Sequence, residues 1–185
     1  IANFSATEVC LGEQMLFNDN SSLDVVSWAY NFDDGSVLSA LQNPVYIYQD
    51  EGIFSPALNV ISDMGCENEF TLDVQVNELP TPNFLVENHC EGKSNVFTDI
   101  STISNGTIDF YNFAFGDGTL DGSNMIEYHQ YNQSGIFNVV LTVTSNKGCQ
   151  NTIQKLTEVY ALPEIDFAST QYCFGTPTYF SDFSS

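Results

Sequence analysis

Slid over itself by about 80 residues, the sequence matches itself, and nothing else in it limits the possible folds so strongly. ANFSATEVCLGE, PNFLVENHCEGK and IDFASTQYCFGT align, each with a Phe six residues ahead of a Cys-x-Gly, so Phe4, Phe84 and Phe167 open three copies. LFNDNSS (16–22), VFTDIST (96–102) and YFSDFSS (179–185) then coincide, as do NFDDGS (31–36) with AFGDGT (114–119) and YQDEGIFSPALNV (48–60) with YNQSGIFNVVLTV (131–143). The seams NELPTPNF and YALPEIDF also correspond. A unit of this length must close its own small core, and the expected domains are 1–80, 81–163 and the first strands of a truncated third copy, 164–185.

Inside each copy the apolar period is two. Phe54, Leu58 and Val60 share one face of a strand, and Phe137, Val139, Leu141 and Val143 repeat the pattern; Trp28, Tyr30, Phe32 and their counterparts Tyr111, Phe113, Phe115 lie one strand earlier. Phe70, Leu72, Val74 and Val76 mark a closing strand. No capped 3.6-residue stripe interrupts this rhythm, and turn clusters such as DNSS, DDGS, QDEG and SDMG punctuate it. The expectation is an all-β fold of tandem antiparallel sandwiches. Pro56 stands where copy two has Val139 and cannot donate to a ladder, so that strand is expected to be an edge or bulged.

The five cysteines follow the repeat. Cys10 and Cys66, like Cys90 and Cys149, join the first strand of a copy to the turn before its last strand, and the expectation is one disulfide within each copy, Cys10–Cys66 and Cys90–Cys149. Such a bond would contribute about 4 kcal/mol to a domain with a modest core. Cys173 then lacks a mate, which reads as truncation with a further copy downstream. Disulfides require an oxidising compartment, so the parent is read as exported, with reduced core cysteines in a cytosolic protein as the alternative. Zinc is poorly served, since there is no Cys-x-x-Cys and only His89 and His129 are available.

Charge excludes whole classes of partner. With 24 Asp plus Glu against 3 Lys plus Arg, the chain offers no basic surface to displace counterions from nucleic acid or an anionic membrane. At 43% hydrophobic and 14% aromatic residues it is too apolar for a disordered acidic tail. No apolar run is long enough to span a bilayer as a helix.

The stretch FGDGTLDG raises the question of calcium, because Asp117 and Asp121 lie four apart on a glycine-rich loop. The competing reading is a tight turn in which Asp34, Gly35, Asp117 and Gly118 supply backbone angles and side-chain caps. Copy one reads FDDGSVLS, without an acid in the place of Asp121 but with Asp34 and Gly35 retained, which favours the turn; no cofactor is expected, Ca2+ being the one alternative. No nucleophile–base motif or H-E-x-x-H is present, so the chain is read as non-catalytic. The 25 aromatics leave a glycan-stacking strip such as Tyr46, Tyr48 or Tyr128 as a rival to core packing. Asn-x-Ser/Thr occurs at Asn3, Asn20, Asn105 and Asn132.

These motifs together resemble the PKD (polycystic kidney disease) domain: an aromatic, then F-G-D-G, then P-x-H-x-Y, then G-x-Y/F-x-V-x-L-x-V. Copy two shows Phe113, Phe115-Gly116-Asp117-Gly118, His129, Tyr131, Gly135, Phe137, Val139, Leu141 and Val143. Copy one shows Tyr30, Phe32-Asp33-Asp34-Gly35, Pro44, Tyr46, Tyr48, Gly52, Phe54, Leu58 and Val60. Asp33 replaces the first Gly, Tyr46 the His and Glu127 the Pro, while Tyr30 and Phe113 stand where Trp is usual. The resemblance implies immunoglobulin-like, seven-stranded β-sandwiches. The added Cys-x-Gly and "GC" elements look like PKD arrays in large Bacteroidota surface proteins, including gliding adhesins exported by type IX secretion. That resemblance implies a stalk-like, adhesive or filamentous segment on a bacterial cell surface, its partners being neighbouring repeats, surface polysaccharide or other adhesin subunits. The alternative is a carbohydrate-binding or spacer module of a secreted multidomain hydrolase. Proline at each seam, with no Gly/Ser run, predicts short stiff joints and a rod.

Overall fold

The computed structural model describes residues 1–119, 122–171 and 173–185, and every regular element among them is a strand. Packing divides the chain into two compact units, one of residues 1–82, 101–110 and 142–151, the other of residues 83–100, 111–141 and 152–185. The first repeat lies whole in the first unit, whereas the second repeat contributes to both.

In the first repeat, Ala57–Ser62 is the middle strand of an antiparallel sheet, flanked by Val25–Asn31 and Glu67–Thr71. Its register sets Tyr30 opposite Leu58 and Leu58 opposite Phe70, so the alternation seen in the sequence becomes one apolar face. Beyond Pro56 the same antiparallel register continues, with Val74–Asn77 opposite Gly52–Phe54 and parallel to Val9–Cys10 on its other side. The facing layer is built from the pairs Phe4–Ser5 with Asn18–Asp19 and Met15–Leu16 with Val45–Tyr46. Between the layers lie Phe4, Met15, Phe17, Tyr30, Phe32, Tyr48, Leu58, Val60, Val74 and Val76, all buried. Phe4 touches Phe17, Tyr30 and Phe70 with ring centroids 5.5–5.7 Å apart, two of these contacts edge-to-face. The closing strand expected over Phe70–Val76 is interrupted after Thr71 and resumes at Val74 in the same register, Thr71 opposite Ala57 and Val74 opposite Phe54.

The second repeat builds the same layers with longer strands: Phe84–Glu87, Ser94–Asp99 and Ile126–Gln130 in one, Ile108–Ala114, Gly135–Ser145 and Gln150–Val159 in the other. Phe84 pairs with Asp99 as Phe4 pairs with Asp19, and in the third copy Phe167 pairs with Asp182. The opening hairpin of all three copies therefore has one register. Phe4 and Phe84 are buried, while Phe167 and Phe180 of the third copy lie exposed and contact each other at 6.1 Å.

Pro56 acts as a break. Where copy two runs unbroken from Gly135 to Ser145, copy one stops at Phe54 and resumes at Ala57, because proline supplies no ladder donor. This explains why Asp33 can replace Gly116. In copy two Gly116 has φ 81°, and a Cβ there would stand 2.5 Å from the Asn138 carbonyl oxygen. In copy one the same position is Asp33, also left-handed at φ 65°, and its carboxylate accepts the Ser55 N–H at 2.9 Å. The broken strand frees a donor, and the aspartate takes it.

These packings set two stability outcomes. Gly116→Ala is expected to destabilise by about 1–3 kcal/mol, since the methyl meets backbone and the left-handed conformation is strained for alanine. Leu141→Ala in the core should cost about 2–5 kcal/mol against roughly 0.5 kcal/mol or less for the exposed Leu156→Ala. Urea unfolding of the variants checks both.

Candidate functional site

The Asp-Gly turns organise an aromatic ladder that recurs in both complete repeats. Gly35 and Gly118 adopt φ of 80° and 79°, which lets each chain reverse directly after its aspartate. Asp34 Oδ1 accepts the Ser36 N–H at 3.1 Å and Asp117 Oδ1 the Thr119 N–H at 3.1 Å, a side-chain cap that closes the turn. The other oxygen reaches the next strand: Tyr46 OH donates to Asp34 Oδ2 at 2.5 Å, and His129 Nε2 lies 2.8 Å from Asp117 Oδ2. Tyrosine and histidine thus do the same work at equivalent positions.

Each of these rings also stacks on the phenylalanine before the turn. Tyr46 lies 3.9 Å from Phe32 with planes 12° apart, and His129 lies 4.0 Å from Phe115 at 2°. The ladder continues edge-on to Tyr48 or Tyr131, which stack on Phe54 and Phe137. Both buried phenols donate to the carbonyl of the pre-turn phenylalanine, Tyr48 to Phe32 at 3.1 Å and Tyr131 to Phe115 at 2.9 Å. Burial, with Asp34 and Asp117 nearby, pushes both phenols well above the usual tyrosine range.

Burial acts to raise the Asp117 carboxyl, but hydrogen bonds from Thr119 and His129 outweigh it and hold the group below its ordinary value; Asp34 is lowered likewise through Ser36 and Tyr46. Asp117 thus has both oxygens engaged with protein donors, the arrangement of a turn anchor. Asp121, the second acid of the calcium reading, lies outside the described residues. Among the described residues no group of three or more His, Cys, Asp or Glu is placed to hold a metal ion. A carboxylate that the sequence did not single out, Asp19, accepts Ser21 N–H, Trp28 Nε1–H and Gln42 Nε2–H, and ties the opening hairpin to the strand Val25–Asn31. Its only sequence signal is its recurrence in the D-x-S-S/T segments. Of the candidate sugar-stacking residues, Tyr48 is buried and Tyr46 is half-covered by its own stack, whereas Tyr128 is 70% exposed.

The cysteines correct the expected pairing. Cys10 bonds Cys149, 139 residues away, with Cα atoms 5.6 Å apart; Cys66, Cys90 and Cys173 carry free thiols. The reason is register. Cys10 lies beside Asn77, at the end of the last strand of its repeat, while Cys66 precedes that strand's beginning at Glu67. About ten strand residues separate the two places, on the order of 30 Å, far beyond what a disulfide spans. Cys90, bridged in parallel to Tyr160, and Cys149, just before Gln150, are held apart in the same way. The bond that forms lies inside the first compact unit, where neighbouring contacts support it. Glu78 accepts the Ser104 and Asn105 N–H groups at 3.0 Å each, Lys147 reaches Glu8 at 3.5 Å, and Asn151 donates to the Pro80 carbonyl at 2.9 Å. By loop-closure entropy the bond stabilises the fold by about 5 kcal/mol.

Residues 1–76 and 77–160 each match the family model described as PKD domain. Among solved structures, the chain is similar to the PKD1 domain of Vibrio anguillarum Epp, 31% identical over 46% of this chain and 99% of that one, with a TM-score of 0.43. It is also similar to the PKD1 domain from Vibrio cholerae metalloprotease PrtV, 30% identical over 44% of this chain and 98% of that one, with a TM-score of 0.40. Fibronectin(III)-like modules of Clostridium thermocellum CbhA match at 11% identity over 87% of this chain and 95% of that one, with a TM-score of 0.44.

Replacing His129 by Tyr should leave stability within about 0.5 kcal/mol, because copy one already uses tyrosine there, whereas His129→Ala should cost about 1–3 kcal/mol. The lowered carboxyls of Asp34 and Asp117 bind protons less readily folded than unfolded. Their contribution is therefore complete above the ordinary aspartate value of about 3.9 and is lost as pH falls through their lower folded values. Urea midpoints measured from pH 6 down to pH 2 should drop over that acid range, and less steeply in Asp117→Asn.

Proposed function

We propose, from the premise that this chain belongs to the PKD domain family, that it is a non-catalytic extracellular repeat segment of a bacterial cell-surface adhesin or filament, in which the sandwiches serve as a stiff stalk. The observation that carries this reading is the Cys10–Cys149 bond, which ties one repeat covalently to the next. Such a bond belongs to an oxidising compartment, in keeping with export. It also changes what tension can do. A pull applied to the two ends passes from residue 10 directly to residue 149, so the intervening chain is spared. The formal charge of −21 favours solubility and mutual repulsion of neighbouring stalks. The Cys-x-Gly and "GC" elements support a source among Bacteroidota gliding adhesins and type IX secretion, with adjoining repeats of the same longer protein as the first partners. Repeat boundaries at 1–80, 81–163 and 164–185 belong to the same reading.

Catalysis has little to work with. The best-formed acid–base pair, Asp117 and His129, is stacked on Phe115 and consumed in closing a turn. A second reading, a carbohydrate-binding or spacer module of a secreted hydrolase, draws on the exposed rings of Tyr128 and Phe110.

Pulling single molecules by their ends distinguishes a tension-bearing stalk from a passive spacer. With the bond intact, unfolding should release little chain; after reduction it should release the additional 139 residues of the loop, on the order of 480 Å at about 3.5 Å per residue. Equal release in both states would remove the mechanical role. Titration calorimetry against a polysaccharide panel tests the second reading: heat that disappears in Tyr128→Ala would support it, and no heat would end it.

A further inference from the structure

The two free cysteines of the complete repeats, Cys66 and Cys90, are presented by the same backbone as the two that are bonded. Cys66 and Cys149 occupy one turn geometry. Ser62 N–H donates to the Cys66 carbonyl at 2.9 Å and Ser145 N–H to the Cys149 carbonyl at 2.9 Å, while each cysteine N–H returns to the serine Oγ, at 3.1 and 3.2 Å. The glycine before each has φ 79° or 80°. Cys10 and Cys90 correspond as closely. Leu11 N–H donates to the Asn77 carbonyl and Glu91 N–H to the Tyr160 carbonyl, both at 2.9 Å, and the turns are closed by Glu13 N–H to Cys10 and Lys93 N–H to Cys90. What differs is cover. Cys10 and Cys149 are buried against each other, Cys66 is exposed and Cys90 partly so.

The geometry within one repeat gives this pattern a direction. The first cysteine stands at the exit end of its sandwich, beside the strand that leads into the seam, and the second stands at the opposite end. Chain succession then brings the first cysteine of one copy against the second cysteine of the next, which is the pairing that Cys10 and Cys149 make. The seam from Asn77 to Phe84 is matched in length by that from Tyr160 to Phe167, with Leu-Pro at the same place in each.

We propose that Cys90 and Cys66 are the open links of a head-to-tail disulfide chain: Cys90 bonds the second cysteine of a following copy of this repeat, and Cys66 the first cysteine of a preceding one. The partner is thus another PKD repeat of the same cysteine pattern. Bond formation needs a disulfide oxidant. One thiol, as its thiolate, attacks the oxidant and displaces half of it as a thiolate; the second cysteine thiolate attacks the resulting mixed disulfide and displaces the other half. Two protons leave the cysteines, and two electrons reduce the oxidant to two thiols. The inference rests on the repeat and on the observed bond, not on the stalk role, so loss of the force response would leave it standing.

The test is a tandem fusion in which residues 1–166 run directly into residues 4–185, so that Phe4 follows Asp166 as Phe167 does. The fusion is oxidised with glutathione disulfide and mapped by mass spectrometry. The expected result is Cys10–Cys149 within each half, a new bond from Cys90 of the first half to Cys66 of the second, and free thiols at Cys66 of the first half and at Cys90 and Cys173 of the second. Serine at Cys66 of the second half should then expose the thiol of Cys90 in the first. Cys10–Cys149 present in both halves with the two test cysteines still reduced would overturn the proposal, as would bonds within repeats, Cys10–Cys66 and Cys90–Cys149. Should the fusion not fold, separate full chains carrying Cys173→Ser, mixed at high concentration with the same oxidant, give the decision: Cys66–Cys90 bonds between chains support the proposal, and their absence overturns it.

Discussion

The parallel pairing of Val9–Cys10 with Val76–Asn77 is the constraint on which the rest of the molecule depends. It closes the sandwich by bringing the start of a repeat to the end of its last strand, and in doing so fixes a cysteine at the exit. Once the first cysteine is there and the second sits at the far end of the same strand, a bond within the repeat is out of reach. Covalent closure must come from the neighbouring copy. Fold and cross-link are therefore consequences of a single register.

The second organising element is the ladder of stacked rings around the Asp-Gly turn. Its aspartate caps a turn with one oxygen and holds a ring with the other, while the buried phenol two residues beyond that ring ties the next strand to the pre-turn carbonyl. Tyrosine in copy one and histidine in copy two meet the same demands: a flat face for Phe32 or Phe115 and a polar atom for the carboxylate. Asp33 and Pro56 show a similar exchange, in which one departure from the repeat makes the other tolerable. Variation between copies is thus paired, each change having a partner in space.

Much of this was legible in the sequence, because strand alternation and turn chemistry are local. Tyr30, Phe32, Leu58, Val60 and their counterparts announced the buried faces, and Gly35 and Gly118 announced the reversals. Pro56 announced an interruption, although not that the strand would stop at Phe54 and resume at Ala57 in an unchanged register. The disulfide partner was not legible by spacing, since Cys10 lies at a plausible distance along the chain from Cys66 and only the strand register shows that they stand at opposite ends. Tyr46 and Tyr48 look alike as text, yet the pleat buries one and leaves the other half-covered. Asp19 was hidden in the same way, because its donors Trp28 and Gln42 arrive from elsewhere in the chain.

The span of the Cys10–Cys149 bond has a consequence for survival outside a cell. Exposed turns such as those at Asp34–Gly35 and Asp117–Gly118 are the places a protease would enter. A cut at any peptide bond between the two cysteines leaves both fragments tethered, with the sheets on either side still paired. The molecule can be nicked without being severed.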